Sequence, residues 1–400
     1  FGGFTEGVRV IDPEMRVVNV VTGSFANAEA GRTAARNLLD QGADVLVLAS
    51  GMGNGPALQE VKARNAYAVG LNTSKDALLP GHVITSILKH PNKAVFDIVA
   101  AAASGKFAGK EILVLNHSSI DPELTGKACN FWHFQFEANT AMKMKAIANY
   151  IKKQPDIKKV YLLNQDYAHG KQWAHYGREM VGLARPDIQF VGEALHPIGR
   201  VKDFAPYLAK VKSSEADSVI TGNWGQDMTL LLKAAGDAGY NLRYFNHSAG
   251  SIPGTVLAVS QAKQGQLTWV AEWHPGQADT PKVDTLAKAY KAKTGKDFLE
   301  PRIEMTPRFL AAAINKAQST DPVKVAHALE DLTLESVVGP VRMRGEDHQL
   351  LLPQVVNTIA PVDGKAVKVG WEGTNYGFRT DAAYTGNELA QGTDCKMARP

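Results

Sequence analysis

Residues 117–135, HSSIDPELTGKACNFWHFQ, and residues 158–171, KKVYLLNQDYAHGK, decide the fold. The apolar run 112–115 predicts a buried strand that ends at a polar turn, and 160–163 predicts a second strand. Between them, 138–153 places apolar side chains on one face of a helix. Strand, helix and strand in this order indicate an open α/β sheet, in which ligand sites lie at the carboxyl ends of the strands.

The alternation of strands and helices continues in both directions. On the N-terminal side, the patterns predict helices at 4–11, 27–41 and 57–64 and strands at 16–21, 44–49 and 66–70. On the C-terminal side, they predict helices at 172–183, 204–213, 228–238, 281–294, 308–316 and 322–329, and strands at 188–193, 218–221, 242–246, 267–273 and 350–359. Alternation at these lengths predicts parallel sheets covered by helices on both faces.

Length and charge exclude several classes of protein. A chain of 400 residues divides into two or more domains or lobes, and its 44 Lys and Arg nearly balance its 40 Asp and Glu. Without a block of like charges, a nucleic-acid or membrane-surface role has little support. No apolar stretch approaches the ~20 residues of a membrane span. The chain begins at Phe1 without a charged-then-apolar leader, which indicates a mature chain with its signal peptide removed, or a truncated one.

Enzymatic motifs are missing from the sequence. There is no GxSxG, no Walker lysine loop and no HExxH, and His169 and His175 are six residues apart, which does not suit a helical zinc pair. The run 51–55, GMGNG, departs from GxGxxG and predicts a tight strand-to-helix turn, or else backbone N–H groups for an anion or a sugar hydroxyl. The sequence predicts no catalytic residue, no metal site and no cofactor.

Four motifs in order, SSIDPELTG, FWHFQFEAN, KKVYLLNQDYAHGK and ADSVITGNWGQDM, resemble the periplasmic binding proteins of branched-chain amino acid ABC transporters. The resemblance covers about 109–400. It implies the α/β type I periplasmic-binding-protein fold, with two Rossmann-like lobes joined by hinge crossovers. The implied bounds are 1–120 with about 248–330 for the first lobe, 121–247 with about 331–362 for the second, and 363–400 for an irregular C-terminal tail.

The same resemblance implies a function. The chain would capture a small polar ligand, amino acid-like or a carboxylic acid, between two lobes without a chemical reaction, and deliver it to an ABC transporter permease. The implied location is the periplasm, or the outer side of a membrane to which the protein is anchored, and the implied state is a monomer or weak dimer. A ligand-sensing receptor module and an enzyme on an α/β scaffold remain as other classes.

The resemblance also implies the site residues. Ser118 and Ser119 occupy the loop that receives the ligand's carboxylate, although capping a turn is the alternative role. Tyr167 and Trp224 stand where the family places pocket aromatics, with packing at a lobe surface as the alternative. Further candidates for hydrogen bonds are Asn223, Asp227 and Ser248, although Asp227 could instead cap a helix.

The turn 246–250, NHSAG, lacks the acidic residue that the family uses to hold the ligand's amine. A charged ammonium group left unpaired in a closed cleft is costly. An aromatic or hydroxy acid, an amide or another polar metabolite therefore becomes a candidate ligand beside the amino acids.

Residues 1–107 resemble a different family, the basic-membrane-protein or purine-nucleoside-binding lipoproteins, through GFTEGV, VVTGSFANAEAGRTAARNLLDQGADVLVLASGMGNG and YAVGLNTSKDALLPGHVITSILKH. This resemblance makes Ser50 and Asn72 candidates, with Asn72 standing where relatives hold ribose with an aspartate. A purine nucleoside is therefore an alternative ligand. Natural recombination, an engineered fusion and loss of a first strand all remain open as origins. A separate hypothesis is that a fused chain has lost its original pocket.

Cys129 and Cys395 are the two cysteines, and neither lies in a CxxC motif. They are either unrelated thiols or a disulfide that ties the C-terminal tail to the loop after Leu124. The resemblance to family members with cysteines in similar places implies the disulfide, which suits an oxidising periplasm.

Overall fold

The computed structural model describes residue 8 and residues 12–22, 27–72, 78–88, 112–262, 266–295 and 297–400. The chain divides into two compact units, Phe1–Lys110 and Glu111–Pro400. The helix predicted at 4–11 lies outside the described residues except for Val8.

In the first unit, the described residues include a parallel sheet of three strands and two helices. The elements are α1 (Ala28–Asp40), β1 (Val45–Val47), α2 (Asn54–Ala63), β2 (Tyr67–Asn72) and β3 (Val83–Leu88), and the strand order is β1–β2–β3. Asn27 begins α1 because its side chain accepts hydrogen bonds from two backbone N–H groups of the first turn. Leu46, Val61 and Ala68 lie in the core of this unit.

The strand predicted at 16–21 is wrong, because these residues form no strand. Val18, Val20 and Val21 are exposed, and Val21 is 89% exposed. β-branched residues favour a strand only where a neighbouring strand can pair with them. In the described part of the chain, nothing pairs with this segment.

The second unit is larger. Its strands are β4 (Val114–Asn116), β5 (His133–Gln135), β6 (Lys159–Gln165), β7 (Gln189–His196), β8 (Ser218–Ile220), β9 (Arg243–Asn246), β10 (Gln266–Ala271), β11 (Thr333–Ser336), β12 (Gly339–Met343), β13 (Leu350–Leu351), β14 (Gln354–Pro361) and β15 (Tyr376–Tyr384). Its helices are α3 (Thr140–Ile151), α4 (Ala168–Tyr176), α5 (Gly182–Ala184), α6 (Ala205–Ser213), α7 (Gly225–Asp237), α8 (Thr255–Ala262), α9 (Pro281–Thr294), α10 (Arg302–Ala317), α11 (Pro322–Leu329) and α12 (Gly386–Leu389). A π-helical turn, Gly177–Val181, joins α4 to α5.

The main sheet of this unit has seven strands in the order β15–β14–β10–β9–β8–β6–β7. The neighbours from β10 to β7 pair in parallel, and β14 and β15 add two antiparallel strands. Two smaller sheets contain the parallel pair β4–β5 and the antiparallel set β11–β12–β13. The predicted α/β class with mainly parallel sheets is confirmed.

The core lies on both faces of the seven-stranded sheet. Phe245 and Val270 face a cluster that includes α3 and α10, while their chain neighbours Tyr244 and Trp269 face a cluster that includes α7 and α8. This alternation follows from the pleat of a strand, which sends successive side chains to opposite faces. Because β6, β8, β9 and β10 run parallel, their carboxyl ends lie at the same edge of the sheet.

The irregular tail predicted for 363–400 is wrong over β15, which pairs with β14 through eight residue pairs. Its partner β14 is the preceding strand, and the glycine-rich, polar residues around and within β15 hide the alternating pattern that would predict the pairing. The seven-stranded sheet continues from β9 to β10, across the lobe boundary expected near residue 247. The lobe bounds stay a prediction.

The disulfide between Cys129 and Cys395 is present, with a Cα–Cα distance of 5.6 Å. It ties the C-terminal segment to the loop that follows the 3₁₀ turn Pro122–Thr125. Thr393 adds a hydrogen bond from its hydroxyl to the carbonyl of Thr125 (2.8 Å). The predicted disulfide is thereby confirmed.

Candidate functional site

The turn with Ser118 and Ser119 follows β4 and is exposed. The backbone N–H groups of both serines donate to Oδ1 of Asn116, at 3.2 and 2.9 Å. These two amides are therefore already used, and only the hydroxyls remain for a ligand. The Ser118 hydroxyl hydrogen-bonds to Nδ1 of His117 (3.1 Å), while the Ser119 hydroxyl has no partner within the described part of the chain.

Three side chains that sequence reasoning missed hold this turn in place. Nδ2 of Asn116 donates to the carbonyl of Ser119 (3.1 Å) and to Oε1 of Gln135 (2.7 Å). Gln135 Nε2 also donates to the Ser119 carbonyl. Arg302 donates from Nε to the carbonyl of His117 (2.6 Å). The serine turn is thus a fixed feature of the fold, and Asn116 and Gln135 could have been found as polar residues at the ends of β4 and β5.

Tyr167 and Trp224 lie together at the carboxyl edge of the seven-stranded sheet. Tyr167 follows β6 and Trp224 follows β8, and the Trp224 Nε1–H donates to the Tyr167 hydroxyl (2.8 Å). Trp224 is 42% exposed, which is high for such a large apolar ring. Burial raises the pKa of Tyr167, although the hydrogen bond from Trp224 acts in the opposite direction. The phenol therefore stays protonated at neutral pH and can donate to a ligand.

Asn223 precedes Trp224 and Asp227 lies in the first turn of α7, and both side chains are buried. Oδ1 of Asn223 hydrogen-bonds to Nε2 of His196 (3.0 Å). Oδ2 of Asp227 accepts from Gln165 Nε2 (2.6 Å) and from the backbone N–H of Gly199 (2.8 Å). Asp227 therefore joins the last residue of β6 to the turn that follows β7.

Several buried polar atoms at this edge have no partner in the described part of the chain. They are Nδ2 of Asn164, Oε1 of Gln165, Nε2 of His169, Nδ2 of Asn223, Oδ1 of Asp227 and Nδ1 of His247. Buried polar groups are nearly always hydrogen-bonded, to protein, water or ligand. A group of them at one edge of the sheet marks a place suited to water or to a polar ligand.

The turn 246–250 is organised by Asn246, which sequence reasoning did not select. Its Oδ1 accepts from the backbone N–H groups of Ser248 (2.9 Å) and Ala249 (2.8 Å). The adjacent His247 packs against His169, with ring centroids 4.4 Å apart. Burial, and then the neighbouring His169, Lys143 and Arg302, lower the pKa of His247 well below its usual value. His247 is therefore a neutral imidazole at this edge.

Ser248 lines a small cavity of about 10 Å³ together with a cluster of charged side chains. The charged residues of the cluster are Glu137, Lys143, Glu272, Glu300 and Arg302. The volume corresponds to roughly one water molecule. This charge cluster was missed at the level of sequence, although Glu137 and Glu272 follow β5 and β10 at the positions where ligand residues are expected.

Ion pairs connect every member of the charge cluster. Lys143 Nζ lies 2.5 Å from Glu137 Oε1, and Arg302 lies 3.0 Å from Glu272 and 3.2 Å from both Glu137 and Glu300. Burial raises the pKa of Glu272 even though Arg302 acts in the opposite direction. Burial lowers the pKa of Arg302, but the carboxylates around it outweigh this effect and raise it overall. Arg302 is therefore a permanent cation.

Ser50 and Asn72 belong to the first unit. The Ser50 backbone N–H and hydroxyl both donate to Oδ1 of Asn54, at 2.7 and 2.9 Å. This arrangement stabilises the tight turn after β1, which is the structural role predicted for the glycine-rich run. Asn72 is the last residue of β2. Their roles in a ligand site stay predictions.

Neither a metal site nor a membrane-spanning helix is present among the described residues. Among them, no three or more His, Cys, Asp or Glu side chains are grouped so as to hold a metal ion. No helix in the same ranges has both the length and the apolar character needed to cross a membrane.

Comparison with known families assigns the two parts of the chain differently. The family described as periplasmic binding protein matches residues 93–360. The family described as ABC transporter substrate-binding protein PnrA-like matches residues 1–117. Both resemblances seen in the sequence are confirmed.

Individual relatives follow the same division. The chain is 30% identical over 305 residues to Leu/Ile/Val-binding protein homolog 4 of Brucella abortus, covering 73% of this chain and 70% of that protein. It is 27% identical over 95 residues to basic membrane protein A of Borreliella afzelii, covering 23% of this chain and 29% of that protein. The alternative of a nucleoside ligand is not favoured by this distribution.

A solved structure shows the same fold. The Leu-, Ile-, Val-, Thr- and Ala-binding protein of Brucella ovis in its closed conformation matches with a TM-score of 0.67 and 23% identity, covering 94% of this chain and 86% of that one. The family match extends over more than half of the chain, and the Brucella abortus relative is matched over more than two thirds of its length. This chain belongs to the periplasmic binding protein family.

Proposed function

We propose that this protein captures a small carboxylic acid or amino acid-like metabolite and delivers it to the permease of an ABC importer. The observation that carries the proposal is the Tyr167–Trp224 pair, which lies at the carboxyl edge of a parallel sheet above buried polar atoms without partners. This edge is where open α/β sheets bind ligands. The names of the relatives, which are binding proteins for branched-chain amino acids, support the same function.

Each part of the site has a role in this mechanism. The hydroxyls of Ser118 and Ser119 hold the acid group of the ligand. Tyr167 and Trp224 cover its apolar part and exclude water, and the polar atoms near Asn223 bond to any further polar group. Binding selects the conformation in which the ligand contacts all of these groups, without a chemical step or a cofactor.

The proposed setting is the periplasm, with the protein acting as a monomer or weak dimer. The disulfide is consistent with an oxidising compartment. The partner would be the membrane permease that accepts the ligand-loaded form.

The proposal is tested by thermal denaturation of the full chain against amino acids, aromatic and hydroxy acids, and nucleosides. A ligand at ~100 times its dissociation constant adds about 2.7 kcal/mol of stability, which raises the melting temperature visibly. We expect a shift with at least one acid. A shift with nucleosides alone would contradict the proposal, as would the absence of a shift with every acid in the panel.

The site is then tested with Tyr167→Phe, which removes the hydroxyl that accepts from Trp224. Because a neutral hydrogen bond contributes about 0.5–1.5 kcal/mol, we expect affinity for the acid to fall roughly 3- to 10-fold. The matched control is Tyr240→Phe, since Tyr240 precedes β9 and lies at the amino edge of the same sheet. If calorimetry gives equal affinities for the two variants, the Tyr167 hydroxyl does not contribute to ligand binding.

A further inference from the structure

Arg302 makes contacts with three other segments of the second unit and with its own neighbour Glu300. Its Nε donates to the carbonyl of His117 (2.6 Å), and its guanidinium lies within 3.2 Å of carboxylate oxygens of Glu137, Glu272 and Glu300. Its backbone N–H also donates to Glu272 Oε2 (3.2 Å). The side chain is only 12% exposed. A single buried cation therefore joins segments that are far apart in sequence.

These segments come from two different sheets. His117 follows β4 and Glu137 lies two residues beyond β5, so both belong to the ends of the two-stranded sheet. Glu272 follows β10 in the seven-stranded sheet, and Arg302 itself is the first residue of α10. Arg302 thus connects the turn with the two serines to the sheet whose edge contains Tyr167, Trp224 and Ser248.

A gain in folding stability does not explain why Arg302 is buried among these carboxylates. Buried ion pairs contribute little net stability, because removing the charges from water costs about as much as their attraction returns. The charge cluster also contains three carboxylates against two cations, so its charges do not cancel. A planar guanidinium with donors in fixed directions can, however, set the relative positions of several acceptors, which the single ammonium of a lysine cannot do.

We propose that Arg302 is a positioning residue for ligand binding, which holds the Ser118–Ser119 turn at a fixed place relative to the seven-stranded sheet. The inference rests on the proposed function, because it requires the serine hydroxyls to hold the acid group of the ligand. Arg302 acts through the His117 carbonyl, one residue before Ser118. If the turn is misplaced, the serine hydroxyls move away from the acid group of a ligand whose apolar part is held at Tyr167 and Trp224.

The test uses Arg302→Lys in the full chain, with the acid that gives the largest thermal shift for the wild type as the probe. The variant keeps the positive charge and loses the fixed directions of the guanidinium. We expect the dissociation constant from calorimetry to rise about tenfold, while tryptophan emission still shows a folded second unit. The matched control is Arg308→Lys in the same helix, since Arg308 is half-exposed and pairs with Glu304 one turn away. The control should bind like the wild type.

A double-mutant cycle with Ser119→Ala separates positioning from a general structural role. If Arg302 acts through the serine turn, Arg302→Lys should cost much less affinity when the Ser119 hydroxyl is already missing. Equal losses in both backgrounds would overturn the inference, and so would unchanged affinity of Arg302→Lys. If Arg302→Lys does not fold, Glu272→Gln replaces it in the same cycle, because it removes one charge that orients the guanidinium. A wild type that binds no acid refutes the proposed function, whereas the inference is decided by the difference between wild type and variant.

Discussion

Removing the disulfide between Cys129 and Cys395 should destabilise the second unit strongly. The two residues are 266 positions apart, and the chain-entropy model for a loop of this length gives about 5–6 kcal/mol. Measured effects usually fall below this model, since unfolded chains keep some structure. We therefore expect the double variant Cys129→Ser/Cys395→Ser to lose about 3–5 kcal/mol of unfolding free energy.

Other contacts should keep the folded state of this variant unchanged. Arg399 Nε donates to Glu330 Oε1 (2.7 Å), Arg344 donates to the carbonyl of Gln391 (2.7 Å), and Thr393 donates to Thr125. These bonds attach the C-terminal segment without the disulfide. The loss should consequently come from the unfolded chain, which gains freedom when the cross-link is missing.

The assay is urea unfolding followed by tryptophan fluorescence. The 6 tryptophans, at positions 132, 173, 224, 269, 273 and 371, all lie in the second unit, so the signal reports on that unit alone. Wild type measured with and without reductant serves as a control for the new serine hydroxyls. A loss below about 1 kcal/mol, with an unchanged denaturant dependence, would refute the reasoning from loop length.

Two further predictions concern packing and pH. Gly170→Ala should destabilise by more than about 3 kcal/mol, because a Cβ there would lie 1.9 Å from the backbone oxygen of Gln165, whereas Gly392→Ala has open space and serves as the control in the same urea assay. Burial lowers the pKa of His274 from 6.5 to about 4, so between these values the unfolded chain binds a proton that the folded chain does not. Its contribution is complete above about pH 6.5 and is lost as the pH falls to 4, which removes on the order of 2 kcal/mol at pH 5. The unfolding free energy measured in urea should therefore change less between pH 7 and pH 5 for His274→Gln than for the wild type. Equal changes in the two proteins would contradict the lowered pKa of His274.

The sequence predicted those elements whose signals are local. Helices at 281–294 and 322–329 match the observed Pro281–Thr294 and Pro322–Leu329, because each has proline in its first turn. Gly295 ends the first of them, and Asp321 caps the start of the second. The strand Tyr376–Tyr384 was missed because glycine and aspartate interrupt its pattern and its partner, β14, supplies the pairing. The strand predicted at 16–21 shows the opposite case. Its composition favours a strand, but composition alone does not supply a neighbouring strand to pair with.

The candidate site divides in the same way. Tyr167, Trp224 and the serine turn follow directly after strands, so their place at a sheet edge could be predicted from the order of elements. The contacts of Arg302 with His117, Glu137 and Glu272 could not, because they join residues up to 185 positions apart. Such contacts have no period or spacing in the sequence.

The charge cluster also bears on the carboxylate that is missing from the turn 246–250. Glu137 and Glu272 lie in the same cavity as Ser248, but each of their oxygens already has Lys143 or Arg302 as a partner. A ligand ammonium group entering this cavity would have to compete with pairs that are already formed, in a place where a broken buried pair costs several kcal/mol. An acid without an amine avoids that competition, so the proposed site, in which the serine hydroxyls hold the acid group, favours such a ligand.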